Sequence, residues 1–320
     1  MADIYIPDSD RYTKMPYQRC GKSGLKLPLI SLGLWHNFGG DSDFEVQAQM
    51  LRTAFDLGIT HFDAANNYGP PGWSAEINLG KHLKNDFSAH RDELIISTKA
   101  GYWGWDGPYG DWGSRKYLMA SLDHSLKNLG LDYVDIFYHH RSSEDDPIEE
   151  TMGALADIVR QGKALYVGIS NYNPVQAARA EAELNKHNIH CLICQPRYSM
   201  LYRSMEKAGL FGTLEKLGIG SISYSPLERG MLTSKYLSGK YDKPLTEQQQ
   251  AQLKIAEQLN EIAKARNQSL SQVALAYNLQ KVTSVLIGAS RPEQITENAG
   301  ALKNLSFDEE ELTVIENIIG

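Results

Sequence analysis

The chain has 320 residues, 42% apolar and 22% charged, with a formal net charge of −7. That is enough apolar chain to bury a sizeable core, and barrels of alternating strands and helices routinely reach this length as one unit. The acidic balance excludes a protein that tracks nucleic-acid phosphates, which needs a basic face. No apolar run approaches the roughly 18–20 residues required to span a bilayer. The polar start MADIYIPDSDRYTK has neither the basic nor the apolar region of a signal peptide. Three cysteines (Cys20, Cys191, Cys194) are too few for a disulfide framework. The expectation is a cytoplasmic protein forming one domain over 1–320, with no nucleic-acid or membrane partner.

Along the chain, YQRC-GKSG-LKLP reads as a small hairpin across Gly21–Gly24, placed to close the bottom of whatever follows. Then a short apolar run, turn residues and a helical pattern recur. The runs are LISLGL (29–34), ITHFD (59–63), LIISTK (94–99), YVDIFYHH (133–140), ALYVGIS (164–170), CLICQP (191–196), IGSISYSP (219–226) and SVLIG (284–288). Continuous apolar runs of this length separated by helices indicate strands buried on both faces of a parallel sheet. Ser114 and Gly130 bracket one helix, and Pro147 and Pro174 each stand where a first-turn proline belongs. After the last run, SRPEQITENAGAL and FDEEELTVIENII read as two further helices.

One residue from the end of each run gives Leu34, Asp63, Lys99, His140, Ser170, Gln195, Tyr224 and Gly288. Six of the seven intervals lie between 25 and 41 residues, the size of one strand–helix unit, and the last, of 64, leaves room for an extra helix or loop beside the one at 247–265. Eight parallel strands are the count of an α/β (β/α)8 TIM barrel. A doubly wound open sheet is the alternative, but no G-x-G-x-x-G follows a strand. CLIC matches C-x-x-C, yet positions three apart on a strand point to opposite faces, which argues against chelation or bridging.

In such a barrel, chemistry sits at the C-terminal ends of the strands. Asp63, Lys99 and His140 end three successive strands, and Tyr68 lies in the loop after the first of them. A charge ending an apolar run is costly unless paired, so Asp63 and Lys99 are expected to pair. Lys99 beside Tyr68 is expected to favour the phenolate and lower its pKa, which is about 10 unperturbed. His140 is placed to hydrogen-bond a carbonyl. Each residue also has an ordinary explanation: a helix cap for Asp63, a snorkelling side chain for Lys99, a structural histidine for His140. Their joint placement at successive strand ends does not.

The motifs FDAANNYGP (62–70), ISTK (96–99), SLKNLGLDYVDIFYHHR (125–141), GKALYVGISNY (162–172), YSPLERGMLTSKY (224–236) and VLIGASRPEQITEN (285–298) resemble the aldo-keto reductases along nearly the whole chain. The likeness is greatest to the branch of potassium-channel β subunits and bacterial L-glyceraldehyde 3-phosphate reductases. It implies a catalytic tetrad of Asp63, Tyr68, Lys99 and His140, with His139 on the opposite face serving packing, and no metal. It implies NADPH/NADP+ bound across the barrel mouth. Trp35, Ser170, Asn171 and Gln195 would then lie at the nicotinamide, with Tyr224 stacked on it. Ser225, Leu227, Gly230 and Lys235 would wrap the pyrophosphate, and Gly288, Ser290, Arg291, Gln294, Glu297 and Asn298 the adenosine end. Arg291, opening a helix, suits the 2′-phosphate. Arg229 departs from the branch, which carries a small or amide residue in that S-P-L-x-x-G loop.

The substrate side is expected to comprise Trp35, Tyr68, Tyr102, Trp103, His140 and Arg141. All five tryptophans fall between Trp35 and Trp112, three of them in the glycine-rich loop GYWGWDGPYGDWGS (101–114). An aromatic wall there suits a small, partly apolar carbonyl compound, although a surface flap packing on itself would have the same composition. The resemblance implies reduction of small aldehydes or ketoaldehydes such as methylglyoxal or L-glyceraldehyde 3-phosphate, in a tetramer or octamer of this chain. The alternative is a nucleotide-sensing regulatory subunit, and the first strand beginning near residue 29 weighs against the long N-terminal segment such regulators often carry.

Overall fold

The structure, a computed structural model, describes residues 5–239, 241 and 243–320. A hairpin of β1 (Tyr17–Arg19) and β2 (Lys26–Pro28) comes first, paired antiparallel from Tyr17↔Pro28 to Arg19↔Lys26. Eight parallel strands follow: β3 (Ile30–Gly33), β4 (His61–Asp63), β5 (Ile95–Ala100), β6 (Val134–His139), β7 (Ala164–Ser170), β8 (Cys191–Gln195), β9 (Gly220–Tyr224) and β10 (Ser284–Ile287). They pair in chain order, and β10 closes the ring against β3 through Val285↔Ile30. The (β/α)8 barrel expected from the spacing is therefore the fold. Every residue of β4, β5, β6, β8 and β10 is buried, because helices cover the outer face while side chains fill the inner one.

The helices of eight residues or more run α1 (Phe44–Asp56), α2 (Ser74–Asp86), α3 (Arg115–Leu129), α4 (Ile148–Arg160), α5 (Pro174–Lys186), α6 (Leu210–Leu217), α7 (Glu247–Ala265), α8 (Leu270–Asn278), α9 (Pro292–Ala299) and α10 (Glu309–Ile319). Their ends follow the sequence signals. Ser114 caps α3 by accepting from the Tyr117 N–H, and Gly130 ends it at φ 66°. Asn173 and Gln176 form a reciprocal capping box on α5, with Pro174 in its first turn. Pro147 stands one position earlier than expected, immediately before α4. The long last interval holds both α7 and α8. Among the described residues no helix is long and apolar enough to cross a membrane.

The hairpin seals the floor. Its Lys22 N–H donates to the Gly218 carbonyl at 2.9 Å and its Cys20 thiol to the Leu192 carbonyl at 3.6 Å, both near the strands' N-terminal ends. One expectation fails at the same level. Between Val167↔Cys191 and Gly168↔Ile193, β8 advances two residues while β7 advances one. The extra residue, Leu192, is a bulge that resets the in–out alternation. Cys191 and Cys194 therefore pack in the same helix-facing apolar cluster instead of on opposite faces. Both are buried, unbridged thiols, and burial raises the pKa of each.

Inside the barrel, Tyr138 fills the space that Gly168 leaves. A Cβ at residue 168 would lie 2.6 Å from two carbons of the Tyr138 ring, and that ring is fully buried. Gly168→Ala should therefore destabilise by about 1–3 kcal/mol through overpacking, read as a fall in the urea midpoint. An unchanged midpoint would show that the Tyr138 ring has room to move.

Candidate active site

Alternation along β4 and β5 turns His61, Asp63, Ser97 and Lys99 into the barrel, and they meet in a fully buried column. Lys99 uses all three ammonium hydrogens: one to an Asp63 carboxylate oxygen, one to the Ala64 carbonyl at 2.8 Å and one to the Tyr68 hydroxyl oxygen at 3.3 Å. The other Asp63 oxygen accepts from Ser97 Oγ at 2.5 Å, and Gln195 Nε2 approaches the first at 3.4 Å. Below them, His61 bridges Ser97 Oγ (2.9 Å) and Ser31 Oγ (3.0 Å), and Ser31 meets Ser284 Oγ at 2.8 Å. Burial pushes the His61 imidazole down to about 4, so it is neutral. Because the Asp63 carboxylate only accepts, Ser97 donates to it. His61 Nε2–H then donates to Ser97, and Nδ1 accepts from Ser31. Ser31, His61, Ser97 and Ser284 were not singled out from sequence, although the period-2 spacing 61/63 and 97/99 carries the signal.

The ionisation of this group corrects one expectation. The Tyr68 phenol is raised well above its ordinary value, by burial first and then by the Asp63 charge; burial also lowers Lys99, against the pull of Asp63. Lys99 therefore does not bring the phenolate into the neutral range. The lysine N–H occupies the phenol oxygen from below, which turns the phenol's own hydrogen away from Lys99. Tyr68 is thus held protonated, the state a proton donor needs.

His140 follows the end of β6. Its ring stands 6.0 Å from the Tyr68 ring and 4.7 Å, edge-on, from Tyr102. Burial and the nearby Lys99 charge hold it well below the usual imidazole value. It therefore faces the mouth as a neutral hydrogen-bonding group. His139 turns the other way, its Nδ1 2.6 Å from the Tyr172 hydroxyl.

Apart from Trp35, which follows β3, the residues expected around the cofactor lie along the opposite half of the rim, at and beyond the ends of β7 to β10. Ser170 Oγ donates to the Gln195 carbonyl (2.8 Å), fixing two strand ends together. Asn171 is already engaged at both ends of its amide: Nδ2 donates to the His140 carbonyl (2.9 Å) and Oδ1 accepts from Tyr224 (2.8 Å). Beyond Tyr224, Ser225, Glu228, Arg229 and Gly230 all have positive φ, a conformation that costs about 1 kcal/mol or more per non-glycine residue. The buried Glu228 anchors this turn through an ion pair to Arg197 and a 2.9 Å bond from Ser199 Oγ, a pairing the sequence did not reveal. Leu227 precedes the turn, and Lys235 follows it with its ammonium 5.5 Å from the Tyr236 ring. Gly288 has open space where a Cβ would project. Ser290 N–H and Oγ both donate to Gln294 (2.8 and 3.2 Å). Arg291 is exposed at the start of α9, which also carries Glu297 and the buried Asn298.

The loop 101–114 overhangs the tetrad. Gly101 has φ 151°, and a Cβ there would lie 3.0 Å from the Cβ and N of His140, so only glycine lets the loop pass this close. Trp35 stacks on Tyr68 across the mouth with ring centroids 6.2 Å apart. Trp103 is half-exposed and bonded to Asp106. Trp105 packs inward on Trp73 and Tyr117. Arg141 is held within the loop itself: Nε donates to the Gly101 carbonyl at 2.6 Å and one Nη to both Asp111 oxygens at 2.8 and 2.9 Å.

Behind β5, Thr98 faces outward and donates to Glu76 of α2 at 2.5 Å, and Asn128 approaches its other oxygen at 3.4 Å. Glu76 is fully buried, and burial pushes its carboxyl up to about 7 from an ordinary 4.5. The folded chain therefore holds a proton that the unfolded chain releases between those values. The associated stability is complete below about pH 4.5 and lost as pH rises through 7, by roughly 3 kcal/mol. Glu76→Gln should remove that part of the decline between about pH 5 and 8 in urea unfolding. Equal declines in both proteins would show that Glu76 is ionised throughout.

Residues 29–319 match the aldo/keto reductase family model. The chain is 53% identical to the L-glyceraldehyde 3-phosphate reductase of Escherichia coli K12, over 99% of this chain and 96% of that protein, and equally so to that of Escherichia coli O157:H7. A thermostable aldo-keto reductase solved with the inhibitor epalrestat superposes with a TM-score of 0.77 at 30% identity, over 95% of this chain and 100% of that one. A family match across nearly the whole barrel, joined to this identity, places the chain in the aldo/keto reductase family of oxidoreductases.

Proposed function

We propose that this chain is an NADPH-dependent reductase of small aldehydes and ketoaldehydes, with L-glyceraldehyde 3-phosphate, the substrate in its Escherichia coli relatives' name, and methylglyoxal as its first test substrates. The observation that carries this is the Lys99 ammonium held between Asp63 and the protonated Tyr68 phenol, beneath a mouth walled by Trp35 and Tyr102.

The rim residues suit a dinucleotide. Gln195 sets its amide beside Asp63, Ser170 bonds the neighbouring Gln195 carbonyl, Tyr224 offers a partly exposed ring, and Ser225, Glu228, Arg229 and Gly230 hold the next turn in a left-handed backbone. NADPH, when bound, supplies a hydride from nicotinamide C4 to the carbonyl carbon. The chain's own residues do the rest. Tyr68 delivers its phenolic proton to the carbonyl oxygen, while the Lys99 ammonium, already donating to the phenol oxygen, stabilises the charge left there. Asp63 keeps Lys99 in place and charged. His140, being neutral, donates a hydrogen bond to the carbonyl without adding a full charge. The aromatic wall excludes water from the reacting atoms. Arg291 is the cation suited to a 2′-phosphate and, with Lys235 at the pyrophosphate, favours NADPH over NADH.

Tyr68→Phe should lower kcat by on the order of 10²–10⁴-fold in an assay of reduced-nicotinamide absorbance, while NADPH affinity measured by fluorescence stays near wild type. Undiminished turnover would remove Tyr68 as the acid. NADPH binding without turnover over a wide carbonyl panel would assign the chain to nucleotide-responsive regulation instead.

A further inference from the structure

Arg141 follows His140 directly, and its guanidinium lies over two aromatic rings, 4.1 Å from the centroid of Tyr102 and 3.5 Å from that of Trp112. Tyr102 in turn stands perpendicular to the His140 ring. One aromatic ring thus separates a fixed cation from the group expected to meet the carbonyl. A short substrate with an anion at its far end has its two ends to place at two such groups. The cation is not free. Asp111, from the far side of the same loop, sets both carboxylate oxygens on a single Nη.

The pairing is a loose one. A carboxylate that matches guanidinium spans two nitrogens in a fork. Here Nε is committed to the Gly101 carbonyl, and the other Nη makes no hydrogen bond among the described residues. Both partners keep contact with water, with 23% and 34% of their side chains exposed. Asp111 therefore occupies the anion position with one nitrogen unused. A phosphate, with three acceptor oxygens and higher charge, has more bonds to offer both Nη atoms than Asp111 takes.

We propose that Arg141 is the specificity residue for the anionic end of a phosphorylated aldehyde, and that Asp111 is a tethered stand-in for it which the substrate displaces. The inference rests on the reductase reading above and adds to it the substrate's charge. Displacement leaves the Nε–Gly101 bond and the contact with the Tyr102 ring intact, so the loop stays docked at Gly101 and Tyr102 while Asp111 and the adjoining Trp112 are released. Because the stand-in competes, apparent affinity for the charged substrate is lowered by the fraction of time Arg141 is occupied. A neutral substrate is indifferent to that occupancy.

The test compares glyceraldehyde 3-phosphate with glyceraldehyde, which share the reacting carbonyl, in wild type, Asp111→Asn, Arg141→Lys and Arg141→Gln. The readout is the ratio of their kcat/KM values, with inorganic phosphate as a second probe of the anion position. Asp111→Asn should raise the ratio several-fold through a lower KM for the phosphorylated compound, and should make inorganic phosphate a stronger inhibitor. Arg141→Gln should lower the ratio about tenfold or more, with Arg141→Lys between it and wild type. Both substrates falling by the same factor in every variant would overturn the proposal and leave Arg141 a staple of the loop. A ratio unmoved by Arg141→Gln would overturn it as well. If wild type reduces neither compound while binding NADPH, the reductase reading fails, and this inference fails with it.

Discussion

A lysine and an aspartate with no exposure to water meet at the top of the barrel, and much of the interior is arranged to make that tolerable. Two charges taken out of water cost several kcal/mol each unless every donor and acceptor is matched. Here each lysine hydrogen has an acceptor, and the carboxylate is bonded by Lys99 and Ser97. Ser97 is held by His61, and His61 by Ser31. A polar column through the barrel axis, where apolar layers would ordinarily stack, is the structural requirement of one ammonium group beneath one phenol.

The same requirement explains the rest of the mouth. Burial keeps the Tyr68 phenol protonated, and the Lys99 N–H on its oxygen turns its hydrogen outward. The loop over it must approach closely without covering it, which the left-handed glycine at 101 permits. That loop is secured away from the mouth: Tyr117 bonds the Tyr102 carbonyl, Trp73 Nε1 the Gly104 carbonyl at 2.8 Å, and Asp146 the Gly113 N–H at 2.6 Å. Its aromatic content therefore serves two ends, with Trp105 turned into the protein as an anchor while Tyr102 and Trp112 sandwich Arg141.

The barrel was legible because strand spacing and buried apolar runs are local signals repeated eight times, and a strand end is a position that sequence can mark. Asp63, Lys99 and His140 were found by that rule. What escaped depended on information that spacing does not carry. The Leu192 bulge shifted two cysteines to one face, since alternation holds only while register does. The phenol moved opposite to expectation because burial outweighed the neighbouring cation. Arg141 and Glu228 found partners, Asp111 and Arg197, at sequence separations of 30 and 31, across loops whose paths no periodicity predicts. Asn171, expected at the nicotinamide, also ties His140 to Tyr224.

The hairpin at the floor bears on how the column exchanges protons with its surroundings. Cys20 and Lys22 bond across the strands' N-terminal end, and Cys20 and Leu27 are fully buried there, so the floor is packed with protein and the mouth, beside Tyr68, is the open end. The barrel is in this sense a test tube rather than a pipe. Whatever fills the mouth stoppers it, and the exchange of the His61 ring proton with solvent becomes an internal clock of how often, and for how long, the site stands open.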